Sequence, residues 1–280
     1  MRTVLFALVP LLAACGSSRS FEMTALTYNV RYGTADDGPD AWPLRRELAF
    51  DVVRRRSPDV VGMQEVLDFQ REAFLAACPG YSAVGVARNA DGSGEASPIL
   101  FRTDRFRLLR SGTFWLGETP EAPGSMGWDA SLPRVCTFAL LEERGGGRLW
   151  VFNTHFDHRG ERARLESARL VAARIAAREP RHPALLLGDL NAGERSEPVA
   201  ALAGLRDTFR ALHPDATGVG TFHAFRGGTA GEKIDFVFAT PDVAPLEAEI
   251  VRDAREGRFP SDHYPVAARL RVPGEGAHGR

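Results

Sequence analysis

The chain has 280 residues, of which 44% are hydrophobic and 25% are charged, and its formal net charge is −1. This composition is ordinary for a globular protein, and the near-zero net charge disfavours a protein that grips long duplex DNA along many phosphates. By length alone, about two domains are expected.

The amino-terminal segment has the pattern of a signal sequence. It reads MRTVLFALVPLLAAC, with one positive charge at Arg2 and an apolar run from Val4 to Ala14 that is too short to span a membrane as a helix. Its LAAC end resembles a bacterial lipoprotein signal, which predicts a signal peptide over residues 1–14, cleavage before Cys15 and lipid on Cys15. The mature protein is then exported and anchored to a membrane, on the periplasmic or cell-surface side, through a tether at 15–22. The alternative is an ordinary secretory signal with a chance cysteine.

Nine strand-like runs follow in chain order. They are MTALTYNV (23–30), DVVGMQE (59–65), YSAVGVA (81–87), SPILFR (97–102), RVCTFALLE (134–142), RLWVFNTH (148–155), ALLLGDL (184–190), KIDFVFAT (233–240) and PVAARLRV (265–272). Several are apolar on both faces, as expected for strands of a sheet that is covered on both sides.

Helical spacing appears in two segments between these runs. WPLRRELAFDVVRRR (42–56) is predicted to bury Leu44, Leu48, Val52 and Val53, and the helical part of 159–179 is predicted to bury Leu165, Ala168, Val171, Ala172 and Ile175. A shorter helical stretch, QREAFLAAC, ends at Cys78. Helices of this kind cover the outer faces of sheets that pack together, so the pattern predicts a layered α/β sandwich.

Two long loops and two cysteines stand out from this pattern. The Gly/Pro-rich loops at 87–98 and 117–133 are long enough to suggest function or mobility. Cys78 and Cys136 lie in a helical and a strand-like segment, respectively. An exported location permits a disulfide between them, but two separately buried thiols are the favoured interpretation.

Polar residues gather at the ends of the strand-like runs. In chain order they are Asn29, Glu65, Asn153, His155, Asp157, His158, Asp189, Asn191, Asp235, Asp262 and His263. In an extended chain, residues i and i+2 face the same way about 7 Å apart, so Asp189 and Asn191 can address one ligand. The competing interpretation of this pair is an Asx turn after a strand.

The ordered motifs TYN, QE, NTH, GDLN, ID and SDH resemble the endonuclease/exonuclease/phosphatase superfamily of metal-dependent phosphoesterases. The resemblance covers about residues 23–271, so these form one domain rather than two, followed by a flexible tail at 272–280. It implies a four-layer α/β sandwich, with two packed, mostly antiparallel or mixed sheets flanked by helices and an active site at one edge. It also implies that Glu65 is the main metal ligand, with Asn29 and Asp262 beside it.

The same resemblance assigns catalytic roles residue by residue. It implies that Asp189 orients or deprotonates the attacking water and that Asn191 holds a phosphate oxygen or the nucleophile. His263 would contact the phosphate, with Asp235 fixing its tautomer, and His155 would contact the phosphate or assist the leaving group. Whether Asp189 or the Asp235–His263 pair is the general base stays open at this stage.

Three further residues are candidates for substrate binding. Arg134 enters a strand after Pro133 and is either a phosphate contact or a surface arginine. Asp157 and His158 either extend the site toward the substrate or cap the helix that starts near Gly160.

The chemistry of the donor set indicates the cofactor. Glu65, Asp262 and Asn29 offer oxygen ligands, which Mg²⁺ prefers, and no Cys/His cluster with zinc spacing occurs in the sequence. Mg²⁺ is therefore the predicted cofactor, with Mn²⁺ as an alternative.

Together these features predict an Mg²⁺-dependent phosphodiesterase or nuclease, acting as a monomer on a phosphate ester that includes short nucleic acids or nucleotides. The first alternative is a phospholipid or inositol-phosphate phosphoesterase, which a lipid anchor on Cys15 would suit. The second is a catalytically inactive surface protein that uses the fold for binding.

Overall fold

The structure is a computed structural model that describes residues 19–274. Cys15, the predicted signal peptide and residues 275–280 lie outside the described residues. The strands are β1 (Phe21–Asn29), β2 (Val60–Gln64), β3 (Tyr81–Val84), β4 (Ile99–Arg102), β5 (Phe106–Trp115), β6 (Val135–Glu143), β7 (Arg148–His155), β8 (Ala184–Asp189), β9 (Arg206–Asp207), β10 (Asp235–Ala239), β11 (Ala244–Ile250) and β12 (Val266–Val272). The α-helices are α1 (Trp42–Arg56), α2 (Asp68–Ala77), α3 (Glu161–Ala176), α4 (Glu197–Ala200) and α5 (Thr208–Leu212).

The strands form two mixed six-stranded sheets. The first has the order β11-β12-β1-β2-β4-β3 and the second β5-β6-β7-β8-β10-β9. Each sheet contains one parallel pair, β1 with β2 and β7 with β8, among otherwise antiparallel neighbours in the described chain. The crossovers that a parallel pair requires contain α1 and α3, respectively.

The two sheets pack face to face and helices cover their outer faces. The inner core includes Met23 and Ala25 of β1 and Leu185 and Leu187 of β8. Leu26 and Tyr28, which alternate with the inward residues of β1, pack instead with the apolar side chains of α1 and α2. The second sheet is covered in the same way by α3. The predicted four-layer α/β sandwich is therefore confirmed.

Helix α1 shows where the amphipathic prediction was inaccurate. Pro43 lies in its first turn, where the missing N–H is tolerated. The helix ends at Arg56 and is followed by Ser57, which has a left-handed φ of 44°. Val52 and Val53 are buried as predicted, but Leu44 is 58% exposed and the fully buried Arg45 takes its place. The prediction failed because a charged side chain occupies the buried stripe of this helix.

Several boundaries also differ from those predicted. Strand β1 begins at Phe21, inside the predicted tether, and β12 ends at Val272, where the tail was expected to start.

The thiols of Cys78 and Cys136 are both buried and form no disulfide with each other. Within residues 19–274, no helix is both long and apolar enough to cross a membrane.

Candidate active site

The site lies where the ends of six strands meet at one edge of the sandwich. The carboxyl ends of β1, β2, β7 and β8 reach this edge, together with the amino ends of β10 and β12. Side chains alternate along a strand, so Asp189 faces the inter-sheet space like Leu185 and Leu187 before it. Asp235 pairs with Asp189 across β10 and β8, and His155 pairs with Asp189 across β7 and β8. The backbone thus carries three predicted site residues into one place.

A cleft of about 430 Å³ opens at this edge. Its lining contains most of the residues predicted from the sequence: Glu65, Arg134, His155, His158, Asp189, Asn191, Asp262 and His263. Asp235 lies beneath the lining, where it contacts His263.

Asp235, His263 and Asp189 form a buried series of charged groups. Asp235 Oδ2 lies 2.9 Å from His263 Nδ1, and His263 Nε2 lies 3.8 Å from Asp189 Oδ2. Burial lowers the pKa of His263, but the Asp235 and Asp189 carboxylates outweigh it and raise that pKa well above its usual value. Burial and the nearby Asp235 raise the pKa of Asp189, against the opposing effect of His263. The two carboxylates therefore favour the protonated form of His263, while burial and Asp235 increase the affinity of Asp189 for a proton.

His155 and Asn191 form a second contact in the cleft. Asn191 lies beyond the end of β8 with a φ of 47°, and its N–H donates to Asp189 Oδ1 over 2.9 Å. The Asx turn is therefore present, and it is compatible with the site interpretation because the Asn191 side chain lines the cleft. Asn191 Nδ2 lies 2.9 Å from His155 Nε2 and donates to the Phe156 carbonyl over 3.0 Å. Burial, followed by the nearby Arg134, lowers the pKa of His155 well below its usual value, which keeps this imidazole neutral.

Glu65 and Asp262 place two carboxylates in the same cleft. Glu65 Oε1 accepts from Asn29 Nδ2 over 3.0 Å and Oε2 accepts from the Tyr32 N–H over 2.8 Å. Burial raises the pKa of Asp262 against the opposing effect of His263, and repulsion from Glu65 adds to the increase. Two acidic groups that repel each other in a buried cleft fit the oxygen-donor set of a hard divalent cation.

Asn29 differs from its predicted role as a metal ligand. Its Oδ1 accepts the Arg31 N–H over 2.9 Å, whereas its Nδ2 donates to both Glu65 and Asp189 Oδ2 over 3.0 Å. The amide therefore presents nitrogen, not oxygen, to the two carboxylates. In this geometry Asn29 is a bridge between the carboxylates of Glu65 and Asp189.

Asp157 lies outside the cleft, contrary to a substrate-binding role. It is 1% exposed, and its carboxylate accepts from the N–H groups of Ser131, Leu132, Arg159 and Gly160 and from the Ser131 hydroxyl. Asp157 does not cap α3 either: it holds the residues just before the helix, and the first-turn N–H groups of Arg162 and Ala163 donate to Asp129 instead. By tying the end of loop 117–133 to the start of α3, Asp157 holds the cleft wall.

The Asn and Gln of two of the motifs are structural. Asn153 Nδ2 donates to the carbonyls of Met63 and Pro98 over 2.7 and 2.9 Å, and Asn153 Oδ1 accepts from Gln64 Nε2 over 2.7 Å. Both side chains are fully buried and join the second sheet to the first. They fix the spacing of the strands that carry Glu65 and His155.

The sequence interpretation missed three polar residues that line the cleft, Arg31, Tyr32 and Glu95, besides the apolar Ala35, Leu132 and Ile234. Arg31 and Tyr32 directly follow the strand that ends at Asn29, and that position was the available signal. Glu95 belongs to the Gly-rich loop 87–98, whose length had suggested function. Phe222 also lines the cleft, where it is 48% exposed with its ring 5.0 Å from that of His263.

Two packed mixed sheets whose shared edge holds paired carboxylates and an Asp–His contact define a class of phosphate-ester hydrolases. Residues 26–263 match the family model described as the Endonuclease/Exonuclease/phosphatase family, and the chain belongs to this family. The protein is accordingly a hydrolase that acts on phosphate esters. The family resemblance inferred from the motifs is thus confirmed.

Solved structures of similar proteins share this fold. The endonuclease/exonuclease/phosphatase from Bacteroides vulgatus is 36% identical, with a TM-score of 0.83, and the match covers 90% of this chain and 99% of that one. The mannosyl-6-phosphatase Bt3783 of Bacteroides thetaiotaomicron VPI-5482 is 34% identical, with a TM-score of 0.81 and coverage of 89% and 99%. The uncharacterized protein L388 of Acanthamoeba polyphaga mimivirus is 27% identical over 128 residues, 41% of this chain and 46% of L388. The match therefore spans less than half of that relative.

Proposed function

We propose that the protein is an Mg²⁺-dependent phosphoesterase that hydrolyses its substrate by in-line attack of water. The observation that carries the proposal is the meeting of Asp189, His263, Glu65 and Asp262 in one cleft, although they are spread over about two hundred positions of the chain.

We assign the metal to the carboxylates of Glu65 and Asp262. The two carboxylates repel each other, as described above, and a cation between them would relieve that repulsion. The Tyr32 N–H and the Asn29 amide hold Glu65 in its orientation. When bound there, a divalent cation would neutralise charge on the phosphate and polarise the phosphorus. Asp189, Asp235 and His263 also have ligand atoms within 4.8 Å of one another. The hydrogen bond between Asp235 and His263 favours a role of these three residues in proton transfer, described next.

We assign Asp189 as the general base. His263 is unsuited to that role because Asp235 stabilises its protonated form, whereas the raised pKa of Asp189 favours proton uptake. Asp189 takes a proton from water as the water oxygen bonds to phosphorus. The ester P–O bond then breaks, and the leaving oxygen takes a proton from solvent. His263 Nε2 and the Asn191 amide would donate to phosphate oxygens that gain charge.

The class of ester has two candidates. The motifs and the composition favour a phosphodiester of a short nucleic acid or nucleotide. A phosphate monoester of a sugar is the second candidate, and the likeness to a mannosyl-6-phosphatase at 34% identity supports it. Phospholipids and inositol phosphates are retained as further substrates to be tested.

The test measures hydrolysis of p-nitrophenyl phosphate and bis(p-nitrophenyl) phosphate by the purified protein, followed by a panel of sugar phosphates, nucleotides, single-stranded RNA and DNA, inositol phosphates and phospholipids. We expect EDTA to abolish turnover and Mg²⁺ or Mn²⁺ to restore it. If no ester in the panel is hydrolysed with either metal, the catalytic proposal fails and the binding-protein alternative gains support.

We also propose that the protein is exported and anchored to a membrane by lipid on Cys15, and that it is a monomer. The support is the LAAC pattern at the end of a short apolar run. Cys15→Ser should move the protein from the membrane fraction to the soluble fraction of cells. Unchanged membrane association of the variant would contradict the lipid anchor. Light scattering of the purified protein tests the monomeric state.

A further inference from the structure

A group of polar side chains next to the catalytic residues is not used in the hydrolysis described above. Arg134, Glu95 and His158 line the cleft, and Arg88 lies behind Glu95 in an adjoining small cavity that also touches His155. We name Arg88, Glu95, Arg134 and His158 the polar subsite.

We propose that the polar subsite binds the alcohol portion of the substrate and that this portion is an uncharged polyhydroxyl group, such as a sugar. The proposal rests on the proposed phosphoesterase function and names its substrate class. It favours the sugar phosphate monoester over the nucleic acid.

The first argument is hydrogen-bonding capacity. Arg134 Nη2 lies 3.1 Å from His158 Nδ1, whereas the buried Arg134 Nε lies 3.7 Å from Asp157 Oδ2, outside the cleft. Glu95 Oε2 accepts from Arg88 Nη1 over 2.6 Å and lies 3.9 Å from Arg134 Nη1. Guanidinium donors and a carboxylate acceptor therefore stand side by side. A hydroxyl group is both donor and acceptor, so neighbouring sugar hydroxyls match such a pair.

The second argument is charge. The two arginines of the polar subsite face two carboxylates, because Arg134 Nε also lies 3.7 Å from Asp157 Oδ2. Arg88, Arg134 and Glu95 together carry one net positive charge, which the buried Asp157 in the wall behind Arg134 offsets, and Glu95 in the cleft would repel a second phosphate. A channel for single-stranded nucleic acid needs the opposite, a groove with excess positive charge along the backbone.

The third argument is rigidity. Arg134 is 5% exposed and immediately precedes β6, while Asp157 fastens loop 117–133 against the start of α3. Glu95 of loop 87–98 lies in the same cleft lining, and its carboxylate is held within that loop by the ion pair with Arg88. Both long loops noted in the sequence therefore converge on the polar subsite. Groups that are held in place before binding lose less entropy when they recognise a ligand.

The test compares two esters that have the same kind of primary alkyl leaving group. Mannose 6-phosphate carries hydroxyls and n-butyl phosphate carries none. With Mg²⁺, we expect kcat/KM of the wild type to be at least about 100-fold higher for mannose 6-phosphate, as loss of several hydrogen bonds to charged groups predicts. Glu95→Gln and, separately, His158→Ala should lower the ratio of the two kcat/KM values by about tenfold or more.

Glu121→Gln is the matched control, since Glu121 lies in loop 117–133 and its side chain is 75% exposed. Its ratio should equal that of the wild type. His158 is itself exposed, so His158→Ala tests the subsite even if Glu95→Gln disturbs folding.

Three results would overturn the proposal. The first is equal kcat/KM values for the two esters in the wild type. The second is an equal decrease of kcat/KM for both esters in the variants, and the third is faster hydrolysis of a dinucleotide than of mannose 6-phosphate. In each of these cases phosphoester hydrolysis itself persists, so the proposed function survives. Absence of hydrolysis of every phosphoester would instead remove the proposed function and, with it, this inference.

Discussion

Arg45 of helix α1 is expected to hold the metal-binding side of the cleft in place. The side chain is fully buried. Its Nε donates to the Asp40 carbonyl over 2.8 Å, and Nη1 donates to the carbonyls of Val30 and Pro260 over 2.8 and 2.9 Å. Val30 follows Asn29, and Pro260 lies two residues before Asp262. One guanidinium therefore joins the two segments that flank the proposed metal site.

Arg45→Met removes these three hydrogen bonds and a fourth, from Nη2 to the Arg31 carbonyl over 3.3 Å, and keeps an unbranched apolar side chain. Each carbonyl left buried without a partner costs about 1–3 kcal/mol, and relief from burying the charge offsets part of the sum. Burial does lower the pKa of Arg45, as that offset requires. We expect a net loss of about 3 kcal/mol in the free energy of unfolding, which corresponds to a decrease in Tm of about 6–12 °C for a domain of this size.

The assay combines urea unfolding with an Mg²⁺ titration of phosphoester hydrolysis. Because the segments before Asp262 and after Asn29 lose their common anchor, the half-saturating Mg²⁺ concentration should rise about tenfold. The control is Arg55→Met in the same helix, since its side chain is 60% exposed and it pairs with Asp253 only over 3.4 Å. That change should alter stability by less than about 1 kcal/mol. Unfolding of Arg45→Met at the wild-type urea concentration, or an unchanged Mg²⁺ requirement, would refute the reasoning.

Three further predictions address the catalytic and structural carboxylates. Asp189→Asn should lower kcat by about 10²–10⁴-fold with unchanged circular dichroism, because the amide cannot accept the proton; near-normal turnover would exclude Asp189 as the base. Glu65→Gln should raise the Mg²⁺ concentration needed for half-maximal activity. If the Mg²⁺ titration is unchanged, Glu65 is not a ligand of the metal. Asp157→Asn should cost about 2 kcal/mol of unfolding free energy at pH 7, measured by urea denaturation across pH.

The Asp157 prediction has a defined pH dependence. Burial raises the pKa of Asp157, but hydrogen bonds from Gly160, Arg159 and Ser131 outweigh it and lower the pKa to about 2. The folded-state pKa is thus below the unfolded value, so the stabilisation is fully present above about pH 5 and disappears as the pH falls toward 2. The wild-type and Asp157→Asn stabilities should converge over this range. A constant difference between them would contradict the carboxylate's role.

The central strands of the fold could be predicted from sequence, but three edge strands, the two-residue β9 together with β5 and β11, could not. β1, β2, β7 and β8 are apolar runs that are buried on both faces, and this burial imposes a composition that is easy to recognise. β5 and β11 are the outermost strands of their sheets and are largely exposed. Their sequences, FRLLRSGTFW and APLEAEI, carry charged residues that an edge strand tolerates and that obscure its pattern.

The sequence by itself determined the residue types at the strand ends and their order along the chain. These were enough to bring Glu65, Asp189, Asp262 and His263 to a single predicted site. What only the tertiary structure decided is the atom that each side chain presents: the nitrogen of Asn29 faces the carboxylates, and Asp157 turns into the cleft wall. The physical reason is that strand periodicity fixes a face, whereas hydrogen-bond partners from distant segments fix an orientation. Those partners meet only when the two sheets pack.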